Sequence, residues 1–202
     1  MSLLYDAIKV ENRQLINISF HNARVNRSRK ELLGISEEVD LAEIIVLPDD
    51  LDTGKYKCRV YYDREIERVE FIKYKQRIIK QLYAVTEDTI GYGFKYSDRS
   101  AIDKLKEKYA PSDEEDILIV KNGMITDTSF SNVALFDGEN WFTPVHSLLK
   151  GTHRARLLAE GKIAERKIKL SDLSNYVELR MINALMDFDS SPTFKTETIK
   201  IL

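Results

Sequence analysis

The chain has 202 residues, 43% of them hydrophobic, with 31 Lys and Arg against 33 Asp and Glu for a formal charge of −2. That is ordinary globular material, long enough for one sizeable core or two small domains. The near balance of charge gives no electrostatic case for nucleic acid or an anionic membrane, a lone Cys58 makes no internal disulfide, and no apolar run approaches a membrane span or signal-peptide core. These features point to a cytoplasmic protein acting on a small molecule.

In chain order, Leu4 to Val10 and Leu15 to Phe20 are short β-prone segments separated by the polar Glu11-Asn12-Arg13-Gln14, a pattern for an opening hairpin. A helix is expected from about Asn22 to Leu33, stopped by Gly34. Residues 36 to 54 are acidic, contain Pro48-Asp49-Asp50, and read as a short helix and a loop. Tyr56 to Tyr62 alternates as a strand, Val69 to Tyr74 supplies another, and Arg77 to Val85 a third, completing the sheet of a first domain over residues 1–88. Lys57 and Arg59 share a strand face, which suits either the flank of an anionic pocket or a solvated surface.

The polar, glycine-bearing stretch Thr86 to Gly93 marks a boundary, with 89–94 as the linker and 95–202 as a second domain. Lys95 precedes a helix whose Ile102, Leu105 and Tyr109 fall on one face, with Ser97 or Asp98 as N-cap and Pro111 closing the unit. Ile117 to Val120, the turn Asn122-Gly123 and Met124 to Thr126 predict a type I′ hairpin. Asn132 to Phe136, the turn Asp137-Gly138 and Trp141 to Thr143 continue it as a meander. Between its strands lies the polar loop Asp127-Thr128-Ser129-Phe130-Ser131-Asn132. Gly151-Thr152-His153-Arg154 then opens a short helix, which is either an ordinary helix start or a phosphate-binding one. Ile163 to Leu170 reads as a strand, Ser171 to Ser174 as a turn or single helical turn, and Tyr176 to Met181 as another strand ending near Asn183-Ala184-Leu185-Met186.

Taken together, the loop from Asp127 to Asn132, then Thr143-Pro144, then Leu149-Lys150-Gly151-Thr152-His153-Arg154 resembles, in order and spacing, the signature of the class IV aminotransferases, a family of pyridoxal-phosphate enzymes. Tyr5-Asp6-Ala7-Ile8-Lys9-Val10 and His21-Asn22-Ala23-Arg24 resemble the family's opening strand and His-x-x-Arg. Lys95-x-x-x-Arg99 and Asn183-Ala184-Leu185 are similar to the aminodeoxychorismate lyase branch. The family's glutamate is here Asp127, its Ile-Thr is Thr152-His153, and the lyase branch's asparagine is Asp98. The family-like text begins at Leu4, so Met1-Ser2-Leu3 reads as a cloning remnant. Relatives carry an extra N-terminal strand and a longer C-terminal segment, so part of the substrate pocket is expected either to be missing or to come from a neighbouring subunit.

The resemblance implies an α/β (α+β), two-domain fold of the D-amino-acid-aminotransferase type, fold type IV, with pyridoxal phosphate between the domains of a homodimer. By the same resemblance Lys95 is the catalytic lysine that carries the cofactor, Asp127 pairs with the pyridine nitrogen, and Asn132 pins the loop. Arg24, Thr152, His153, Ala184 and Leu185 hold the phosphate, His21 is structural, and Arg99 and Asn183 face the substrate. The favoured reaction is 4-amino-4-deoxychorismate lysis to 4-aminobenzoate and pyruvate, a step of folate biosynthesis. Branched-chain or D-amino acid transamination is the alternative, and a binding protein that has lost catalysis is a third reading. No metal site is expected.

Overall fold

The computed structural model describes residues 3–202, so Met1 and Ser2 of the expected remnant lie outside the described residues. Two compact units emerge. The first comprises the residues up to Lys75 together with Phe94–Asp98, and the second comprises Gln76–Gly93 and Arg99–Leu202. Their borders differ from the 88/95 division expected from composition. Residues 76–93 belong with the second unit, while 94–98 return to the first.

In the first unit an antiparallel sheet of order β2-β1-β3-β4 is built from β1 (Leu4–Glu11), β2 (Gln14–Leu15), β3 (Lys55–Tyr62) and β4 (Ile66–Lys73). β1 pairs with β3 in unbroken register from Leu4↔Tyr62 to Glu11↔Lys55. Strand alternation sends Leu4, Ile8 and Val10 to the face shared with Cys58 and Val60, where Val25 and Leu41 complete the core. Helix α1 (Ile18–Leu33) covers this face. It starts four residues earlier than expected, because Ile18 sits on the same stripe as His21 and Val25 and packs against the core. Gly34 ends it at φ 70°, its N–H donating to the carbonyls of Arg29 and Lys30. Helix α2 (Leu41–Ile44) is the short acidic helix anticipated, capped by the Asp40 carboxylate.

The second unit is organised on a sheet of order β10-β9-β8-β7-β6-β5-β13, with β11 on β8 and β12 on β11. The meander follows the sequence reading: β6 (Glu115–Lys121), β7 (Met124–Thr128), β8 (Asn132–Phe136) and β9 (Trp141–Pro144). Asn122 and Gly123 have φ of 51° and 73°, the two positive values a type I′ turn requires. The third strand expected for the first domain is instead β5 (Gln81–Thr86), which runs parallel to β6 and joins this second sheet through the crossover helix α3 (Ser100–Tyr109). The N-cap of α3 is Arg99, with no side-chain cap bond, rather than Ser97 or Asp98. Ser97 is drawn to β1 instead, its N–H donating to the Leu3 carbonyl at 2.8 Å.

Beyond helix α4 (Thr152–Ala159), the strand expected over 163–170 is reduced to β10 (Ala164–Arg166), parallel to β9, and a 3₁₀ helix over Leu170–Asn175 follows. β11 (Glu178–Ile182) pairs with β8, β12 (Thr193–Lys195) with β11, and β13 (Lys200–Ile201) with β5. β8 is buried on both faces. Val133 and Leu135 enter the large core with Leu118, Val120 and Leu179, whereas Ala134 faces Leu157 of α4.

Candidate functional site

In the second unit the polar loop between β7 and β8 meets the start of α4. Asp127 and Asn132, the two ends of the loop, are a register pair, and the Asn132 amide donates to the Asp127 carboxylate. It also donates to the Leu149 carbonyl at 2.8 Å. The other Asp127 oxygen accepts the Leu148 and Leu149 amides. One carboxylate thus ties the strand end to the connection that delivers α4.

The glycine of Leu-x-Gly has a mechanical reason here. A Cβ on Gly151 would stand 2.0 Å from Asn132 Oδ1, so only glycine lets the helix start lie against that carboxamide. Arg154, one turn on, donates to Thr143 Oγ1, the Pro144 carbonyl and Glu165, which accounts for Thr143-Pro144 as the anchor of the helix.

The loop interior is held by three further residues. Arg99 donates to the Ser129 carbonyl at 2.7 Å and pairs with Asp103. Asn183 donates to Ser131 Oγ at 3.0 Å, accepts the Leu185 amide through its side chain, and offers its carbonyl to His153 Nδ1 at 2.7 Å. Asp127, Asn132, Thr152, His153 and Asn183 are therefore brought together, with Ala184 and Leu185 on the adjoining turn. The Leu185 amide is already engaged by Asn183, which limits what it can offer a phosphate. Asp116 backs the same loop from the first residues of β6, fully buried, with its Oδ2 lacking a hydrogen bond. Burial pushes its carboxyl up against the pull of the Ser129 and Thr128 hydroxyls. The sequence signal was present, since a charged residue opens the apolar run Ile117 to Val120.

In the first unit, Arg24 on α1 is buried and forms a bidentate pair with Asp6 of β1, Nε to Oδ2 at 3.1 Å and Nη2 to Oδ1 at 2.6 Å. His21 Nδ1 lies 2.7 Å from the same Oδ1. Burial alone would raise the Asp6 carboxyl, but Arg24 and His21 hold it well below the ordinary range. Lys95 is fixed beside β1, its carbonyl accepting the Tyr5 amide at 3.0 Å and its Nζ standing 4.7 Å from the centre of the Tyr5 ring. Lys95 and Arg24 are thus brought to successive residues of β1.

Each unit by itself carries groups whose chemistry suits part of a phosphorylated pyridine. The pair with Asp6 uses Nε and one terminal nitrogen of Arg24, leaving the other terminal nitrogen available for an anion. Asp127 is buried and accepts from three neutral donors, and burial pushes its carboxyl up to about 6 against the bonds from Asn132, Leu149 and Leu148 and the charge of Arg154. A carboxylate has about four acceptor directions, so one remains for a ring N–H whose positive charge would relieve that buried charge.

Residues 89–188 match the amino-transferase class IV family. An uncharacterised protein of Haemophilus influenzae is 38% identical over 184 residues, spanning 90% of this chain and 97% of that protein. A solved structure from Haemophilus somnus 129PT, provisionally named 4-amino-4-deoxychorismate lyase, is 32% identical, covers 92% of this chain and 97% of its own, and superposes with a TM-score of 0.82. The chain belongs to the class IV aminotransferase family. Members are pyridoxal-phosphate enzymes, and the mixed α/β architecture is that of fold type IV. A fold IV transaminase from Curtobacterium pusillum, 17% identical, shares that fold with a TM-score of 0.72 over 91% of this chain and 74% of its own. No described helix of this family member is long and apolar enough to cross a membrane. Among its described residues no cluster of His, Cys, Asp and Glu could hold a metal ion.

Proposed function

We propose that the protein is a cytoplasmic, homodimeric, pyridoxal-phosphate-dependent enzyme that converts 4-amino-4-deoxychorismate to 4-aminobenzoate and pyruvate. The observation that carries the reaction is the 32% identity to the Haemophilus somnus protein of that name across 97% of that chain. Lys95-x-x-x-Arg99 and Asn183-Ala184-Leu185 support the same branch.

When bound, the cofactor supplies an electron sink for the bond broken in the substrate. In this reading Lys95 would hold the cofactor covalently and would hold or move the proton at the reacting carbon. Asp127 accepts the pyridine N–H. Arg24 and the first-turn amides of α4 at Thr152 and His153 hold the phosphate, as a helix start suits. Arg99 and Asn183 act on the substrate indirectly, since their side chains brace the loop from Thr128 to Ser131.

Two measurements test the proposal. Borohydride reduction of the cofactor-loaded protein followed by mass mapping should place a pyridoxyl adduct on Lys95; an adduct elsewhere with Lys95 unmodified refutes the assignment. Product assays should show 4-aminobenzoate and pyruvate forming faster than any amino acid is transaminated. Efficient transamination of branched-chain or D-amino acids without aminobenzoate would establish the alternative.

A further inference from the structure

Asp6 is a charged residue on the inward face of β1, between Leu4 at 1% exposure and Ile8 at 0%, and is itself fully buried. Burying a carboxylate and a guanidinium costs several kcal/mol in desolvation, and an apolar pair of the same size is often as stable or more so. Hydrophobic packing therefore gives no reason for this pair, and its geometry supplies one. Asp6 Oδ1 accepts Arg24 Nη2, His21 Nδ1 and the Ala7 amide at 2.6 Å, while Oδ2 accepts Arg24 Nε. Two parallel bonds fix both the plane and the roll of the guanidinium, which one bond could not do. An ionised carboxylate accepts only, so His21 carries its proton on Nδ1. His21 and Arg24 are three apart on α1 and share its inward face.

We propose that Asp6, assisted by His21, is the positioning residue for Arg24: it holds one edge of the guanidinium so that the opposite terminal nitrogen is presented to a phosphate monoester. The inference rests on the cofactor reading above and adds to it Asp6, the partner from β1 that the motif His-x-x-Arg does not contain.

The test titrates the purified full chain with pyridoxal 5′-phosphate and, separately, with pyridoxal, following cofactor absorbance and the fluorescence of Trp141. The quantity read is the ratio of the two dissociation constants. Asp6→Asn keeps the shape but removes the charge and one acceptor, and should reduce the preference for the phosphorylated ligand at least tenfold, about 1.4 kcal/mol, with pyridoxal affinity little changed. His21→Ala should move the ratio the same way. His21→Asn, whose amide can donate from the Nδ1 position, should restore it. An unchanged ratio in folded Asp6→Asn overturns the proposal. A parallel loss of both affinities overturns it too, since that is what a merely structural pair would give. Should Asp6→Asn fail to fold, the two His21 variants decide the matter alone. If the unsubstituted protein binds neither ligand, the cofactor reading itself is wrong and the inference falls with it.

Discussion

Gly151→Ala should damage the second unit through one contact. The residue has φ −72° and ψ 145°, ordinary extended backbone that alanine adopts freely, so backbone strain contributes nothing. The methyl group would instead stand 2.0 Å from Asn132 Oδ1 and 3.1 Å from Cγ, forcing the carboxamide out. Asn132 then loses its bonds to Asp127 and the Leu149 carbonyl. A bond to a charged acceptor contributes roughly 1.5–3 kcal/mol and a neutral one about 0.5–1.5, so the loss should be about 2–4 kcal/mol. For a chain of this size that is a fall of roughly 5–15 °C in thermal midpoint. The assay is a double-mutant cycle by thermal unfolding. Asn132→Ala costs about the same by itself, and adding Gly151→Ala to it should cost little more, because nothing remains to be displaced. Strict additivity of the two substitutions would refute the reasoning.

Asp127 should make stability depend on pH in an unusual direction. Its folded value of about 6 lies above the ordinary 3.8, so the native state binds the proton more tightly, and the burial penalty is absent below about pH 4 and complete above about pH 6. The stability difference between the unliganded protein and Asp127→Asn should therefore shift against the unsubstituted chain by about 3 kcal/mol as pH rises from 4 to 7, at about 1.4 kcal/mol per pH unit; a flat difference in urea titrations would contradict this. Burial, reinforced by the Asp6 charge, pushes the Cys58 thiol up to about 12, so a thiol reagent should label the native chain far more slowly than the unfolded one, and comparable rates would show that β3 opens readily.

What the sequence disclosed was mainly local. The meander from Ile117 to Thr143 was legible because its turns announce themselves: Asn122, Gly123 and Gly138 carry the positive φ values that turn one strand back on the next. The same holds for α1, whose end at Gly34 is a backbone requirement. β5 was misassigned because its partner β6 lies beyond α3 in the chain, and a parallel pairing leaves no adjacent turn to read. Site residues were legible as identities but less so as contacts. The pattern singled out Asn132 and Gly151 without showing that one leaves room only for the other. It named Arg99 without showing the bond that its guanidinium makes to the Ser129 carbonyl. Asp6 and Asp116 were visible as acidic residues of their strands, yet no spacing rule names a partner that arrives from another element.

The strand order of the second unit also bears on how the chain folds. β6, β7, β8 and β9 are joined by short turns and close at little entropic cost, whereas β13 meets β5 only after nearly the whole of that unit has been laid down. Pairings between distant segments form late in folding, so we expect the meander to acquire its amide protection first and the β5–β13 edge last. In pulsed hydrogen exchange, the Leu202 amide, which donates to the Ala84 carbonyl at 3.0 Å, should therefore gain protection after the Thr128 amide, which donates to the Ser131 carbonyl at 2.8 Å within the meander, with the sheet growing outward from the strand ends that cradle Asp127.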